Sequence, residues 1–591
     1  MAYLGVEETK NSIWSRRQKI ERLRAELKNE RSSFESQWRD NSDYILPLRA
    51  RFFTTDTNKG DRRNHKIIDS TATMAARTLR SGMMAGVTSP ARPWFKLGVP
   101  GYKDTEQGSS HQWLHYVTRE MSNVFLKSNL YNVLPVIYGD LGVFGTAAML
   151  VEEDSEKIIS FSPLPIGSYY LSNDKDLKVN TFLREFRLTV RQVIEKFALQ
   201  DDGFTIDWSV VSSKIKNLWD NNTREAWVDI VHVIMPNDMY NPNKLDSKYK
   251  KYISIYYEQG TIGYNNQGSA PGDLDSHKFL SEKGSDFFRV LAPRWEVSGE
   301  DVYGTDCPGM ICIGDVKQLQ TGEKRALQAV EKMVNPAMVG PTALKKAKAS
   351  ILPGDITYVD DRDGRNGFRP AHEINFDINA LEMKQQQVRQ RIQRAFYEDL
   401  FLMLAQSDRR QITAREIEER HQEKLLALGP VLEQLNQDLL DPLIDITFYL
   451  MERKGLIPDA PEEIQDKDLK VEYISIMAQA QKLAGLGSIE RFAGFASQVA
   501  SVDPGVLDKI NTDQIVDYYG DLTSVPPGVL RSDEEVAKLR ADRAESQRRQ
   551  QMAEQAQMEA STAKTLSDAN VGGDNLLSQI TGGLNAIEGV G

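Results

Sequence analysis

Cysteine is almost absent from the 591-residue chain, which has only Cys307 and Cys312. A disulfide framework and a four-cysteine zinc site are therefore excluded, mixed Cys/His ligation stays open, and a reducing compartment is expected. Long apolar runs are missing too. The stretch Leu443–Met451 is broken by Asp445 and is far too short to span a bilayer. The opening residues, MAYLGVEETKNSIW, have no basic region followed by an apolar run, so no signal peptide is expected. Positive charge is in deficit, with 73 Lys and Arg against 84 Asp and Glu and a net charge of −11. That balance excludes coating nucleic acid by bulk charge, but not touching it at a few local basic points. The dipeptide Gly-Lys does not occur, so nothing supplies a P-loop, and GxSxG, HExxH and paired CxxC motifs are absent as well. His111 and His115, one helical turn apart in HQWLH, lack the glutamate of a metalloprotease helix and read as ordinary histidines. No catalytic, metal or cofactor residue is assigned, and the chain is not expected to be an enzyme.

What is present is a mainly helical α+β pattern. With 40% apolar residues the chain can bury large cores, and its length suggests about three to five structural units. Thr9–Arg39 contains no Gly or Pro, and its apolar residues recur at helical intervals until the turn-forming RDNSD. A helix rich in small residues follows in IIDSTATMAARTLRSGMMAGVTSP, then one from His111 to Lys127 and one from Val133 into GDLGVFGTAAMLVEE. From about Met149 to Leu291 the period shortens to runs of Val, Ile, Tyr, Phe and Thr between turn residues, which predicts antiparallel strands around one short helix, LTVRQVIEKFAL. Beyond it, Asp315–Asn335 has an apolar stripe, and Pro336–Ile374 interrupts with a small β element. Ala380–Leu404 then resumes as one helix capped by Asn379. Thr413 and Glu416 signal a long helix to Lys454, kinked or broken at Pro430 and Pro442. Shorter helices occupy about 474–519, and Ser532 with Glu535 begins a Gln/Ala/Glu/Arg-rich helix to Leu566. The Gly-rich end is expected to be mobile.

The charged features that stand out are local. Lys345, Lys346 and Lys348 lie in a segment without acids between Pro341 and Gly354. Ala380–Tyr397 carries Lys384, Arg389, Arg391 and Arg394 against Glu382 alone, and Arg409 and Arg410 occupy the polar bend AQSDRRQ. Each taken alone reads as a solvated face. Their order, helix then basic insertion then helix then bend then kinked helix, is an architecture.

That order resembles the portal, or head-to-tail connector, protein of short-tailed double-stranded DNA bacteriophages. The resemblance covers about residues 10–560. Its most specific marks are SQWRDNSDYILPLRARF, IIDSTATMAARTLRSGMMAGVTSPARPWFKLGV, YGDLGVFGTAAMLVEE and GEDVYGTDCPGMICIGDVKQLQ. It implies the portal fold, a ring of usually twelve subunits (twelve or thirteen) at one capsid vertex, with double-stranded DNA passing along its axis. By segment, 1–314 would be the wing, 315–335 the first stem helix, 336–378 the clip and 379–403 the second stem helix. Residues 404–412 would be the tunnel loop, 413–455 the kinked wing helix, 456–530 the crown, 531–567 a barrel helix and 568–591 a flexible tail without a clear counterpart in that pattern. Arg409, Arg410, Lys384, Arg391 and Arg394 would face the channel, and Lys345, Lys346 and Lys348 the packaging motor. The implied partners are other copies of the chain, major capsid and scaffolding proteins, the large terminase and a tail adaptor, with no membrane. The place would be the virion, after assembly in the host cytoplasm. The alternatives are another virion protein, such as a tail adaptor or internal core protein, and, less favoured, a packaging enzyme.

Overall fold

A computed structural model describes residues 10–53, 60, 63–99, 109–200, 203–259, 278–339, 369–370, 377–406, 428–465, 469–474, 533–568 and parts of 492–516. At 10–15, 109, 111, 338, 369–370, 378, 403–406, 533–534 and 563–568 only the backbone is described. The chain divides into two compact units, one of residues 1–97 and 113–489, the other of residues 98–112 and 490–591.

The first unit opens with α1 (Lys10–Tyr44), which runs on through the RDNSD expected to stop it. The reason is tertiary. Asn41 is fully buried and donates through Nδ2 to the Val143 carbonyl at 2.6 Å, while the Trp38 indole donates to the Phe144 carbonyl at 3.1 Å. Both carbonyls belong to the end of α4 (Leu130–Phe144), so turn-forming residues become anchors of a continuing helix. Small side chains do what they predict in α2 (Thr71–Val87), whose Ala72, Ala75, Ala76 and Leu79 are buried and which packs closely on α4. Helix α4 closes at Gly145, whose φ of +76° is left-handed and whose absent Cβ leaves room for the Gly304 carbonyl. Between α2 and α4 lie β1 (Phe95–Gly98) and α3 (Ser109–Lys127).

The expected strands form two antiparallel sheets. One has the order β3–β2–β9, from β2 (Ala148–Asp154), β3 (Ile158–Leu164) and β9 (Val290–Leu291). The other is a five-stranded meander of β4 (Tyr169–Asn173), β5 (Val179–Thr189), β6 (Trp227–Pro236), β7 (Tyr252–Glu258) and β8 (Ser281–Ser285). Alternation along β5–β7 gives each face its own core. Leu183, Val231, Val233, Ile253 and Ile255 pack with Ile20 and Leu27 of α1. On the other face Val228 and Ile230 pack with the short helix α5 (Val190–Val193), its π-helical extension Ile194–Ala198, and α6 (Ser213–Asp220). Thr189 and Gln192 make a reciprocal capping box at the start of α5. Arg17 and Arg31 of α1 are buried. Arg31 lies 4.0 Å from the Tyr170 ring centre and donates to the Tyr169 carbonyl at 3.1 Å.

The helices α7 (Pro308–Val334) and α8 (Ile378–Ala395) pack against each other, and β10 (Met338–Val339) pairs antiparallel with β11 (Arg369–Pro370) in the segment between them. Asp377, not Asn379, caps α8, accepting from the Asn379 and Ala380 amides. The single helix expected over Ala380–Leu404 is two, because the chain turns at Phe396–Tyr397 before α9 (Glu398–Gln406). Residues 428–435 are helical and continue through a π turn at Asn436–Leu440 into α10 (Asp441–Arg453). Pro442, which lacks an N–H, sits just after the π turn, so the expected kink takes that form. β12 (Lys470–Tyr473) pairs with β1. In the second unit, α11 (Asp533–Asp568) is exposed over its described side chains except for half-buried Val536, and Arg540 pairs with both carboxylate oxygens of Asp513 at 2.7 and 2.8 Å.

Candidate functional site: the basic helical hairpin

Helices α7 and α8 carry Lys317, Lys324, Arg325, Lys332, Lys384, Arg389, Arg391 and Arg394 against four acids, a basic hairpin in an acidic chain. Its foot is buried. Val316 and Leu319 of α7 and Val388 and Ile392 of α8 have almost no exposed surface. Its outer part is bare, with Leu327 61% and Met383 65% exposed and Val330, Met333 and Val334 accessible as well. Ala326, Leu327, Val330 and Val334 keep helical spacing, so the stripe that packs the foot continues outward with no cover among the described residues.

Arg389 ties the hairpin to the body. Its Nε donates to Asp69 Oδ2 at 2.9 Å and its Nη2 to Glu323 Oε1 at 2.5 Å. Gln320, nearly buried, accepts from the Ile68 and Asp69 amides and donates to the Asp69 carbonyl at 2.8 Å. Asp69 also accepts from the Thr71 amide at the start of α2. Burial pushes the Asp69 carboxyl up, but the hydrogen bonds from Thr71 and Arg389 outweigh it and hold it below the usual value. Lys317 reaches Asp40 of α1 at 2.6 Å, a second brace.

The basic residues singled out in the sequence therefore divide. Arg389 is structural, and Arg391 pairs across the hairpin with Asp315 at 2.7 Å. Lys384 and Arg394 are exposed and have no ion pair among the described residues. Lys345, Lys346, Lys348, Arg409 and Arg410 lie outside the described residues, as does the Thr413–Glu416 capping signal. Missed by sequence reasoning were Lys324, Arg325 and Lys332 on exposed positions of α7, where the run EKRALQAVEK offered the signal. Cys307 and Cys312 at the start of α7 are buried, and burial pushes both thiols up, that of Cys312 to about 12, which disfavours the thiolate form. His115 is exposed, and the His111 side chain lies outside those described. Among the described residues no group of three or more His, Cys, Asp or Glu is placed to hold a metal ion, and no helix is long and apolar enough to cross a membrane.

Two antiparallel sheets, a braced basic hairpin and an exposed apolar stripe, with no cluster of metal-ligating residues among the described residues, are features of a mixed α+β protein with large helical segments. Residues 17–530 match the bacteriophage head to tail connecting protein family, and the chain belongs to it. It is 45% identical over 562 residues to the portal protein of Salmonella phage epsilon15, covering 95% of this chain and 97% of that one. It is 39% identical over 556 residues to a probable portal protein of Bordetella phage BPP-1, covering 94% and 96%.

Proposed function

We propose that the chain is a portal subunit: copies form a ring at the unique capsid vertex, the channel for genome packaging and ejection and the platform for terminase and tail attachment. The observation that carries this reading is the near-full-length similarity to the epsilon15 portal protein. The hairpin supports it. A 27-residue α7 is about 40 Å long, which suits a stem held in a capsid shell, and its bare apolar stripe suits a neighbouring copy. The ring closes because a heterologous interface must close to enclose a channel.

In this reading 315–335 and 379–403 are the stem, 336–378 the clip, 404–412 the tunnel loop and 531–567 a barrel helix. Lys384 and Arg394, with Arg409 and Arg410, face double-stranded DNA. Arg391, already paired with Asp315, adds little to the channel field. The lysines Lys345, Lys346 and Lys348 meet the motor or its successor, the tail adaptor. Major capsid and scaffolding proteins surround the wing, and the subunit is a virion component without a reaction of its own. A conduit must hold its cargo weakly, because each neutralised phosphate adds affinity. An acidic chain with a few basic positions, each repeated around the ring, meets that need.

Negative-stain microscopy of the purified full chain tests the proposal. Rings with an axial hole are expected, and monomers or irregular particles would point instead to a tail adaptor or internal core protein.

A further inference from the structure

Residues 378–406 contain neither Gly nor Pro and have the composition of one helix. Yet the chain turns at Phe396–Tyr397, where Tyr397 takes φ +53°. That left-handed region is one an aromatic side chain enters only under constraint. The other described non-glycine residues with positive φ, Ile158, Leu177 and Asn222, lie where a hairpin reverses or a helix ends. Tyr397 alone among them interrupts a helical sequence.

The constraint is visible. Phe396, Leu400 and Phe401 are buried. The Phe401 ring sits against α2 in the space left by Gly82, where a Cβ would come within 2.1 Å of it. The Tyr397 ring lies 6.3 Å from that of Trp295. Its carbonyl accepts from the Leu400 and Phe401 amides at 3.0 and 3.2 Å, which starts α9 afresh. Glu398 and Asp399 then fall in the first turn of α9, where the helix dipole favours them. Local preference asks for one straight helix, and docking on α2 enforces two.

We propose that the Phe396–Tyr397 joint is a two-position hinge. In the bent position α9 is docked on α2 through Phe401 and Gly82. In the other, Tyr397 adopts ordinary helical angles, α8 and α9 merge into one helix over 378–406, and the Gly82 seat is vacated. Local and tertiary preferences that oppose each other at one joint are what make an element able to switch. The hinge belongs to one copy and stands whether or not copies form a ring.

The test is a spin-label distance measurement on the full chain, with labels at the exposed positions Gln386 and Leu402 and unlabelled copies in excess. A merged helix places these positions about 24 Å apart along its axis, and the bent form places them closer. Wild type is expected to show the shorter distance. Phe401→Ala, which removes the docking anchor without overpacking, is expected to add a population near the helical distance. Adding Tyr397→Gly, which allows the bend without strain and disfavours the helix, should reduce that population about tenfold or more. Gly82→Ala, which closes the seat, should act in the same direction as Phe401→Ala. The proposal is overturned if Phe401→Ala keeps the wild-type distance. A broad spread without the helical distance overturns it as well, since α9 would then only fray.

Discussion

Arg389 shows how one side chain in a basic run can serve the fold rather than the cargo. It answers two carboxylates far apart in the chain, Asp69 just ahead of α2 and Glu323 on α7. Replacing it with Ala leaves both acids partly buried without their cation, and the expected loss is about 2–3 kcal/mol of unfolding free energy. Arg389→Lys keeps the charge but cannot reach both acids in a fork, so it should lose roughly half as much. Urea denaturation of both variants checks this, and equal losses would contradict the two-acid bridge. His232 is a second case. It donates to or accepts from Ser254 Oγ at 2.9 Å and stacks on Tyr256 with ring centres 3.8 Å apart. Burial, reinforced by Arg184, Lys196 and Arg289, holds its pKa well below the ordinary 6.5. Because the folded value is depressed, the stability it contributes is present above the unfolded pKa and is lost as pH falls from about 6.5 toward the folded value. The slope from this one group is at most about 1.4 kcal/mol per pH unit. Denaturation at pH 7, 6 and 5 should show a shallower decline for His232→Phe than for wild type.

At the scale of elements, the π turn before Pro442 is tied down by an ion pair. Arg294, 4% exposed, donates through Nε and Nη2 to Asp438 at 3.0 and 3.1 Å, and Asp438 lies in the π turn before Pro442. Arg294 also donates to the Leu177 carbonyl in the β4–β5 turn at 3.0 Å, so it joins the sheet to the helix. Arg294→Ala should cost about 3 kcal/mol or more, because it strands a buried carboxylate. Arg294→Met with Asp438→Leu should cost clearly less than Arg294→Ala alone, since no charge is left unpaired. A double variant no more stable than the single one would show that packing, not charge, holds the turn. Helix α1 is held by neutral hydrogen bonds instead, Trp38 and Asn41 donating to α4 carbonyls.

For the whole molecule, the decisive surface is the outer hairpin. Leu327→Glu with Val330→Glu changes only residues that are exposed in one copy, so folding should be little affected. In the proposed ring the same residues would face a neighbour, and two buried charges per interface should abolish assembly. Sedimentation should therefore find folded monomers of the variant where wild type gives rings. If the variant still forms rings, the hairpin stripe is not the contact. The tunnel reading is tested separately. Arg409→Glu with Arg410→Glu should leave rings intact and impair DNA packaging or retention through repulsion of the phosphate backbone. Unchanged packaging would reduce those arginines to an ordinary turn.

Helix and strand periods were legible in the sequence, and so were the order of elements, the absence of reaction motifs and the exposure of Lys384 and Arg394. Those properties arise from neighbours within a turn or two of the chain. The tertiary structure alone decided that α1 continues through RDNSD, that the helix expected over Ala380–Leu404 breaks at Tyr397, and that Arg17, Arg31, Arg389 and Arg391 are taken up by the protein itself. Arg389 and Asp69 are 320 residues apart in sequence, and no local pattern pairs them. A helix continues or breaks according to what its side chains can bury against, here two α4 carbonyls in one case and the Gly82 seat in the other. Local preference proposes an element, and long-range packing and charge pairing determine where it ends and which of its residues remain free to act.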